Sequence, residues 1–209
     1  MERASGVLMP VSSLPGPYGI GGFGWNAYDF VDFLASCKQH YWQILPLTTT
    51  SYGDSPYQSF SARAGNPNFI DFAELIEAGY LEQRDIDGVY LGSDPSNVDY
   101  GAIFGGRRQI LDRADFDDFV QANEDWLIPY CEFMTVKEEC GLKAFWEWPA
   151  ELRTRGEASA KVCAAHPARM LYHQMTQYFF DRQWSRLKAY ANERDILIIG
   201  DLPIYVSRD

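Results

Sequence analysis

Ile196-Leu197-Ile198-Ile199-Gly200-Asp201-Leu202-Pro203-Ile204-Tyr205-Val206 is the stretch that decides the fold class. Its opening apolar run does not alternate with polar residues, which is how a strand buried on both faces reads. Such strands belong to parallel sheets covered by helices. Upstream, Phe180, Trp184, Leu187 and Ala191 hold helical spacing within residues 168–192, so a helix delivers the chain to this strand. Two further strands of the same kind sit near the amino terminus, in residues 6–14 and 41–47. Between them Ala27, Phe30, Val31 and Leu34 keep an i, i+3, i+4, i+7 rhythm, with Asn26 as the expected N-cap. Strand, helix, strand within residues 6–47 is a βα unit feeding a parallel sheet.

Three such strands are too few to close a (β/α)₈ barrel, which needs roughly 250 residues. The expectation is therefore an α/β fold whose parallel sheet is only begun in this chain. Residues 1–70 would hold its first strands and a contact loop. Residues 71–165 would form a mainly helical insertion, and 166–209 a helix and the next strand. A terminal parallel strand without its return helix reads as the front part of a longer protein. Its apolar edge predicts poor stability or self-association of the chain alone.

The intervening segments are less regular. Residues 15–24 are rich in Gly and Pro and read as a loop. Residues 48–70 are polar and irregular. Asp71, with Glu74 at the capping-box offset, opens a short helix that Gly79 stops. Residues 84–101 read as loop, and 115–153 as amphipathic helix with Pro129 in a first turn or at a kink.

Composition excludes several classes of function. The 209 residues carry 18 Lys+Arg against 29 Asp+Glu, a formal charge of −11. No basic cluster suits a nucleic-acid backbone or an anionic membrane surface. No apolar run approaches the roughly 18 residues of a membrane span, and no export segment is evident, so the expected setting is cytoplasmic. Cys37, Cys131, Cys140 and Cys163 form no Cys-x-x-Cys, and His40, His166 and His173 are scattered. That pattern reads as buried thiols in a reducing compartment, without a metal site. Oligomeric state is left open.

The unusual feature is aromatic content, 13 Tyr, 13 Phe and 6 Trp, much of it in Gly/Pro/Ser-rich stretches. Tyr52-Gly53-Asp54-Ser55-Pro56-Tyr57 sets two rings, a carboxylate and a hydroxyl within six residues after a strand. A sugar has apolar C–H faces and a rim of hydroxyls, so rings plus Asp and Ser are the groups that bind it. Local packing of the loop is the simpler alternative. Asp201 follows a buried strand, where β/α barrels carry their chemistry, although a carboxylate there also serves as a helix cap. Gly19-Ile20-Gly21-Gly22-Phe23-Gly24 matches Gly-x-Gly-x-x-Gly but is separated from its strand by two prolines, and no acidic residue follows the second strand to hold a ribose. A tight loop over the strand end is favoured over a nucleotide site. The three histidines read as surface or satisfied core residues. Asp112, Asp115, Asp117 and Asp118 read as a solvated helix face and N-terminus.

Gly6-Val-Leu, Ser12-Ser-Leu, Gly19-Ile-Gly, Trp42-Gln-Ile-Leu-Pro-Leu, Ser51-Tyr-Gly-Asp-Ser-Pro-Tyr-Gln-Ser, Gly65-Asn-Pro, Val98-Asp-Tyr-Gly and Gly200-Asp-Leu-Pro-Ile-Tyr-Val occur in order along the whole chain. With Trp146-Glu-Trp-Pro and Gln183-Trp184 they resemble the amino-terminal portion of the amylomaltase (4-α-glucanotransferase, disproportionating enzyme) family. Lys38, Thr48-Thr49 and Arg63 depart from that family's usual Gly, Gly-Pro and aromatic residue. The resemblance implies an incomplete (β/α)₈ TIM-type barrel, first strands only, with a largely helical insertion. It further implies retaining transfer of α-1,4-glucan segments by double displacement, in which a carboxylate nucleophile and a second carboxyl act in turn. Both would lie beyond this chain. It also implies Ser55, Tyr57 and Asp201 near the reacting sugar, Asp201 as a supporting carboxylate and not the nucleophile. Asp54 adds a polar contact, and Tyr52 and Tyr100 stack glucan at an accessory site. It implies no metal or organic cofactor. A non-catalytic α-glucan-binding module and an α-glucan hydrolase of the same barrel superfamily are the alternative readings.

Overall fold

Trp42 occupies the middle of a three-stranded parallel sheet. The structure, a computed structural model, describes residues 3–50, 53–94, 96–113 and 124–203. Strands β1 (Gly6–Leu8), β2 (Tyr41–Gln43) and β3 (Leu197–Ile199) lie in the order β1-β2-β3. Val7 pairs with Trp42 and Trp42 with Ile198, so these three residues share one face. Trp42 is fully buried. Its indole N–H donates to the Met9 carbonyl at 2.8 Å, and Phe30 meets its ring edge-on at 5.1 Å. An indole this deep needs such a partner, because an unpaired buried donor is costly.

Helices α1 (Trp25–Ser36) and α7 (Pro167–Asn192) each lead into a parallel strand and share the core with that face of the sheet. Ala27, Val31 and Leu34 of α1 and Leu187 and Ala191 of α7 are completely buried there. The helices also meet each other. Tyr28 packs edge-on against Tyr190 at 4.8 Å, and Arg194 pairs with Asp32 at 2.6 Å. The opposite sheet face is different: Leu8, Leu197 and Ile199 are 54%, 53% and 44% exposed. The chain is thus α/β with a parallel sheet, as its sequence predicts, but helices cover only one face, and the expected burial of Leu197 and Ile199 is not seen.

The strands are shorter than expected. After β2, Ile44 still donates to Ile199 at 3.0 Å, but Pro46 has no N–H with which to continue a ladder. Beyond Ile199 the expected strand residues 204–206 lie outside the described residues. Gly24, not Asn26, is the N-cap of α1. Asn26 sits in the first turn, where its side-chain amide donates to the Pro15 carbonyl and ties the Gly/Pro loop to the helix. Asp71 does cap α2 (Phe72–Glu77), accepting from the Glu74 N–H at 2.9 Å, and Gly79 follows with φ +79°.

Residues 84–101 are not simply loop. Helix α3 (Gln83–Ile86) opens there and α4 (Tyr100–Leu111) begins within it, capped by Asp99, which accepts from the Ala102 N–H at 3.0 Å. Ile103, Arg107, Ile110 and Leu111 bury the face of α4, an i, i+4, i+7, i+8 pattern diluted by Gly101, Gly105 and Gly106. Helix α5 (Glu124–Glu139) carries Pro129 in its interior. Single 3₁₀ turns at Phe145–Glu147 and Ala150–Leu152 replace the helix expected up to 153, and α6 (Glu157–Ala165) follows. Asp112 ends α4 as its C-cap instead of starting a helix. Asp115, Asp117 and Asp118 lie outside the described residues. The four free thiols are not uniformly buried: Cys131 is buried and pushed up to about 12 by desolvation, Cys140 and Cys163 are half-buried, and Cys37 is exposed. Among the described residues no helix is long and apolar enough to cross a membrane.

Helices α4, α5 and α7 are joined by a charge network around Glu138. Arg108 spans both of its carboxylate oxygens, and His173 Nε2 lies 2.9 Å from Oε1. Arg108 also lies 4.5 Å over the Tyr172 ring. Burial alone would raise the Glu138 pKa, but the hydrogen bonds and charges of His173 and Arg108 outweigh it and hold the carboxyl at about 2. A depressed native pKa gives stability that is present above the unfolded value and lost as pH falls through the native one. Stability should therefore decline on acidification between about 4.5 and about 2. Glu138→Gln should flatten that decline and cost on the order of 3 kcal/mol at neutral pH, because it leaves Arg108 without its bidentate acceptor. Urea denaturation of the full-length protein across pH measures both effects.

Candidate functional site

The 48–66 loop is a closed excursion with a narrow base. Thr48 faces Gly65 in an antiparallel bridge, Thr49 donates to Ala64 at 3.2 Å, and Asn66 donates to Leu47 at 2.9 Å. Helix α7 holds this base from below. Gln177 accepts from the Gly65 N–H at 2.7 Å and donates to the Gly65 carbonyl at 3.0 Å. Beyond the loop, Gln183 makes the same pair of bonds to Asp71, at 2.7 and 3.0 Å. Between them Phe180 fills the space beside Gly65, where a Cβ would come within 2.3 Å of its ring. Glycine is required there by contact, not by dihedral angle.

At the tip, Gly53 and Asp54 have φ of +85° and +55°. Glycine enters this left-handed region freely, and Asp is one of the few other residues that tolerates it. Pro56 then presets the next turn, closed by the Gln58 N–H donating to the Ser55 carbonyl at 3.1 Å. This reversal swings Tyr57 across to the end of β3, where its hydroxyl donates to Asp201 Oδ2 at 2.8 Å. Tyr57 is exposed and Asp201 half-buried, so the pair borders solvent. The hydrogen bond to Asp201, with a smaller contribution from its charge, raises the Tyr57 phenol above its usual pKa. Ser55 is half-buried, its hydroxyl 3.4 Å from the Tyr57 N–H.

Asp54 borders Tyr100. It shares a cavity of about 380 Å³ with Tyr100, whose phenol is raised first by burial and then by the Asp54 charge. Phe60, Phe104, Tyr130 and Tyr172 supply aromatic walls from the loop and from α4, α5 and α7. Lys137 stands 4.6 Å over the Phe60 ring and donates to the Lys143 carbonyl at 3.2 Å. On its other side Tyr100 borders an open groove of about 680 Å³ between the Gly/Pro loop and residues 91–98.

The segment 54–57 therefore links two sites: Tyr57 with Asp201, and Asp54 with Tyr100. Tyr52 lies outside the described residues. The aromatic lining from Phe104, Tyr130 and Tyr172 escapes the sequence reading, although Tyr100, Phe104, Arg107, Arg108 and Leu111 share one helical face of α4. The Gly-x-Gly-x-x-Gly run folds tightly back, with the Gly21 N–H donating to the Ser12 carbonyl at 3.2 Å. Among the described residues no group of three His, Cys, Asp or Glu is placed to hold a metal ion.

Parallel strands covered by helices on one face, with a tyrosine–carboxylate pair at the carboxyl end of β3, define an α/β protein. The chain belongs to the 4-alpha-glucanotransferase family, whose model matches residues 9–209. It is 52% identical, over an alignment of 221 residues, to a 4-alpha-glucanotransferase of Streptococcus pneumoniae, covering 100% of this chain and 44% of that protein. A Clostridium butyricum 4-alpha-glucanotransferase is 42% identical over 212 residues, 96% of this chain and 44% of that one. The structure of amylomaltase from Streptococcus agalactiae in complex with acarbose superposes with a TM-score of 0.93 at 49% identity, over 99% of this chain and 44% of that one. Amylomaltase from Corynebacterium glutamicum, at 19% identity and a TM-score of 0.63, shares the fold over 99% of this chain and 31% of its own. The chain thus spans less than half the length of the relatives it matches.

The Tyr57–Asp201 contact can be read in solution. Asp201→Asn removes the anion that disfavours the phenolate, so it should lower the Tyr57 titration midpoint toward the ordinary value near 10.0. Ultraviolet titration of each protein against its own Tyr57→Phe counterpart isolates that one phenol. An unchanged midpoint would mean the contact is absent in solution.

Proposed function

We propose that this chain is the amino-terminal part of a (β/α)₈-barrel 4-α-glucanotransferase that moves segments of α-1,4-glucans between donor and acceptor. The single observation that carries the reading is the Tyr57–Asp201 hydrogen bond at 2.8 Å. It joins the Gly-Asp-Ser-Pro-Tyr loop to the end of a parallel strand, where barrel enzymes hold their reacting groups. The exposed sheet face of Leu8, Leu197 and Ile199 supports the barrel, since parallel strands are ordinarily covered on both sides.

In this reading Asp201, Ser55 and Tyr57 hydrogen-bond the reacting sugar. Asp201 also adds negative charge beside an oxocarbenium-like transition state. Asp54 and Tyr100 contact glucan further out, with Tyr52 as a second stacking ring. The nucleophile and the acid/base carboxyl lie in sequence downstream of residue 209. An acceptor sugar hydroxyl takes the place of water in the second displacement, and exclusion of water separates transfer from hydrolysis. The family match and the acarbose-bound relative support an α-glucan as the substrate class.

In the full-length protein Asp201→Asn should raise the barrier by about 2–4 kcal/mol, the scale of one preorganised electrostatic group. Tyr52→Ala and Tyr100→Ala should cost about 1 kcal/mol and mainly change product sizes, because they remove stacking area away from the cleaved bond. Steady-state kinetics and product sizing with maltotriose measure both. Equal turnover loss in Tyr100→Ala and Asp201→Asn would overturn the division of roles. Steady growth of reducing ends would favour the hydrolase instead. The 209-residue chain alone should not disproportionate maltotriose, and turnover by it, free of full-length enzyme, would contradict the placement of the two carboxyls.

A further inference from the structure

We infer that Gln177 is a positioning residue for glucan transfer: it fixes the base of the 48–66 loop on α7 and so sets Tyr57 against Asp201. The inference rests on the functional reading above and adds a residue that touches no substrate. A primary amide offers a donor and an acceptor side by side, as the edge of a β-strand does. Gln177 uses both on one residue, accepting from the Gly65 N–H at 2.7 Å and donating to its carbonyl at 3.0 Å. Ala64, Gly65 and Asn66 are buried, as is Gln177 at 3% exposure, so water does not replace these bonds if the amide is lost.

The constraint passes outward along the backbone. Gly65 pairs with Thr48, and Ala64 accepts from Thr49 at 3.2 Å. Both arms of the excursion leave from this point, and its tip carries Tyr57. Phe180 prevents the base from sinking, because it occupies the space beside Gly65. Gln177 therefore holds the base down while Phe180 limits how far, and together they set its height. Transfer chemistry is sensitive to small displacements, since a misplacement of about 1 Å from a remote change can cost about a hundredfold in rate.

Gln183 supplies an internal control. It makes the same two bonds to backbone, at 2.7 and 3.0 Å, but to Asp71, the N-cap of α2, outside the excursion. A purely structural role predicts equal consequences for the two glutamines. Positioning predicts unequal ones.

The test uses the full-length enzyme with Gln177→Met and Gln183→Met, which keep side-chain volume and remove both bonds. The melting temperature should fall by similar amounts in the two. Gln177→Met should lower kcat/KM for maltotriose disproportionation by about tenfold or more and speed amide exchange in residues 53–63. Gln183→Met should change kcat/KM by less than about twofold and leave that exchange unaltered. Tyr57→Phe should cost less in the Gln177→Met background than alone. Equal activity losses in the two methionine variants, or unchanged exchange at 53–63 in Gln177→Met, overturns the inference. If Gln177→Met does not fold, Gln177→Asn keeps the amide but shortens its reach, and unchanged exchange and kcat/KM in that variant overturns it equally. If the wild-type enzyme transfers no glucan, the functional reading fails, while the exchange comparison still decides whether Gln177 fixes the loop.

Discussion

Helix α7 touches the sheet, the 48–66 loop and helices α4 and α5, and the contact on which the loop depends is its grip on Gly65. Gln177, Phe180 and Gln183 subtend an arc of about 120° on the helix, at 100° per residue. The two amides each take a backbone donor and acceptor, and Phe180 packs between them against Gly65 and, at 5.1 Å, against Phe23. A segment with no regular structure buries its polar backbone only if partners of this kind satisfy it. Toward its carboxyl end α7 packs Leu187 and Ala191 into the core shared with the sheet. Near its amino end His173 joins the Glu138 network that links it to α4 and α5. Sheet, loop and helices α4 and α5 are thus all held against one helix.

A buried guanidinium reinforces the same region from the other side. Arg107 of α4 donates to the Tyr18 carbonyl at 3.1 Å and to the Ile70 carbonyl, with Phe72 stacked 4.1 Å from its centre. Burial lowers its pKa to about 10, against the opposing pull of the Asp71 charge, so it remains a cation at neutral pH. Asp71 is raised by the same burial, while the Glu74 amide and Arg107 favour its ionised form. One arginine thereby ties the Gly/Pro loop over the strand ends to the segment that Gln183 holds. Removing it would take a donor from the buried Ile70 carbonyl and the part-buried Tyr18 carbonyl, a costlier change than losing a surface ion pair.

The parts legible in the sequence are those governed by short-range pattern. Apolar runs marked the parallel strands, helical spacing marked α1 and α7, and the Asp71–Glu74 offset marked the start of α2. Strand ends are not legible in the same way, because ladder pairing stops where Pro46 has no N–H, although apolar character continues through Leu47. Helix α4 was hidden by Gly101, Gly105 and Gly106, which lower intrinsic propensity while the buried face at Ile103, Arg107, Ile110 and Leu111 sustains the helix. At the site, residue chemistry singled out Asp54, Ser55, Tyr57 and Asp201. What no local pattern carries is the pairing across 144 residues that brings Tyr57 to Asp201, or the roles of Gln177 and Gln183, each 112 residues from its partner. A glutamine inside a helix reads as a solvated polar residue until the backbone it serves is seen.

The central claim is that Tyr57 and Asp201, brought together at 2.8 Å, act on one sugar as a unit. A double-mutant cycle in the full-length enzyme, with Tyr57→Phe, Asp201→Asn and both, scored by kcat/KM for glucan transfer, tests it most directly. Coupled residues should give a double variant little worse than Asp201→Asn alone, with an interaction energy of about 1 kcal/mol or more. Additive losses would contradict the claim and leave the two residues as independent contacts.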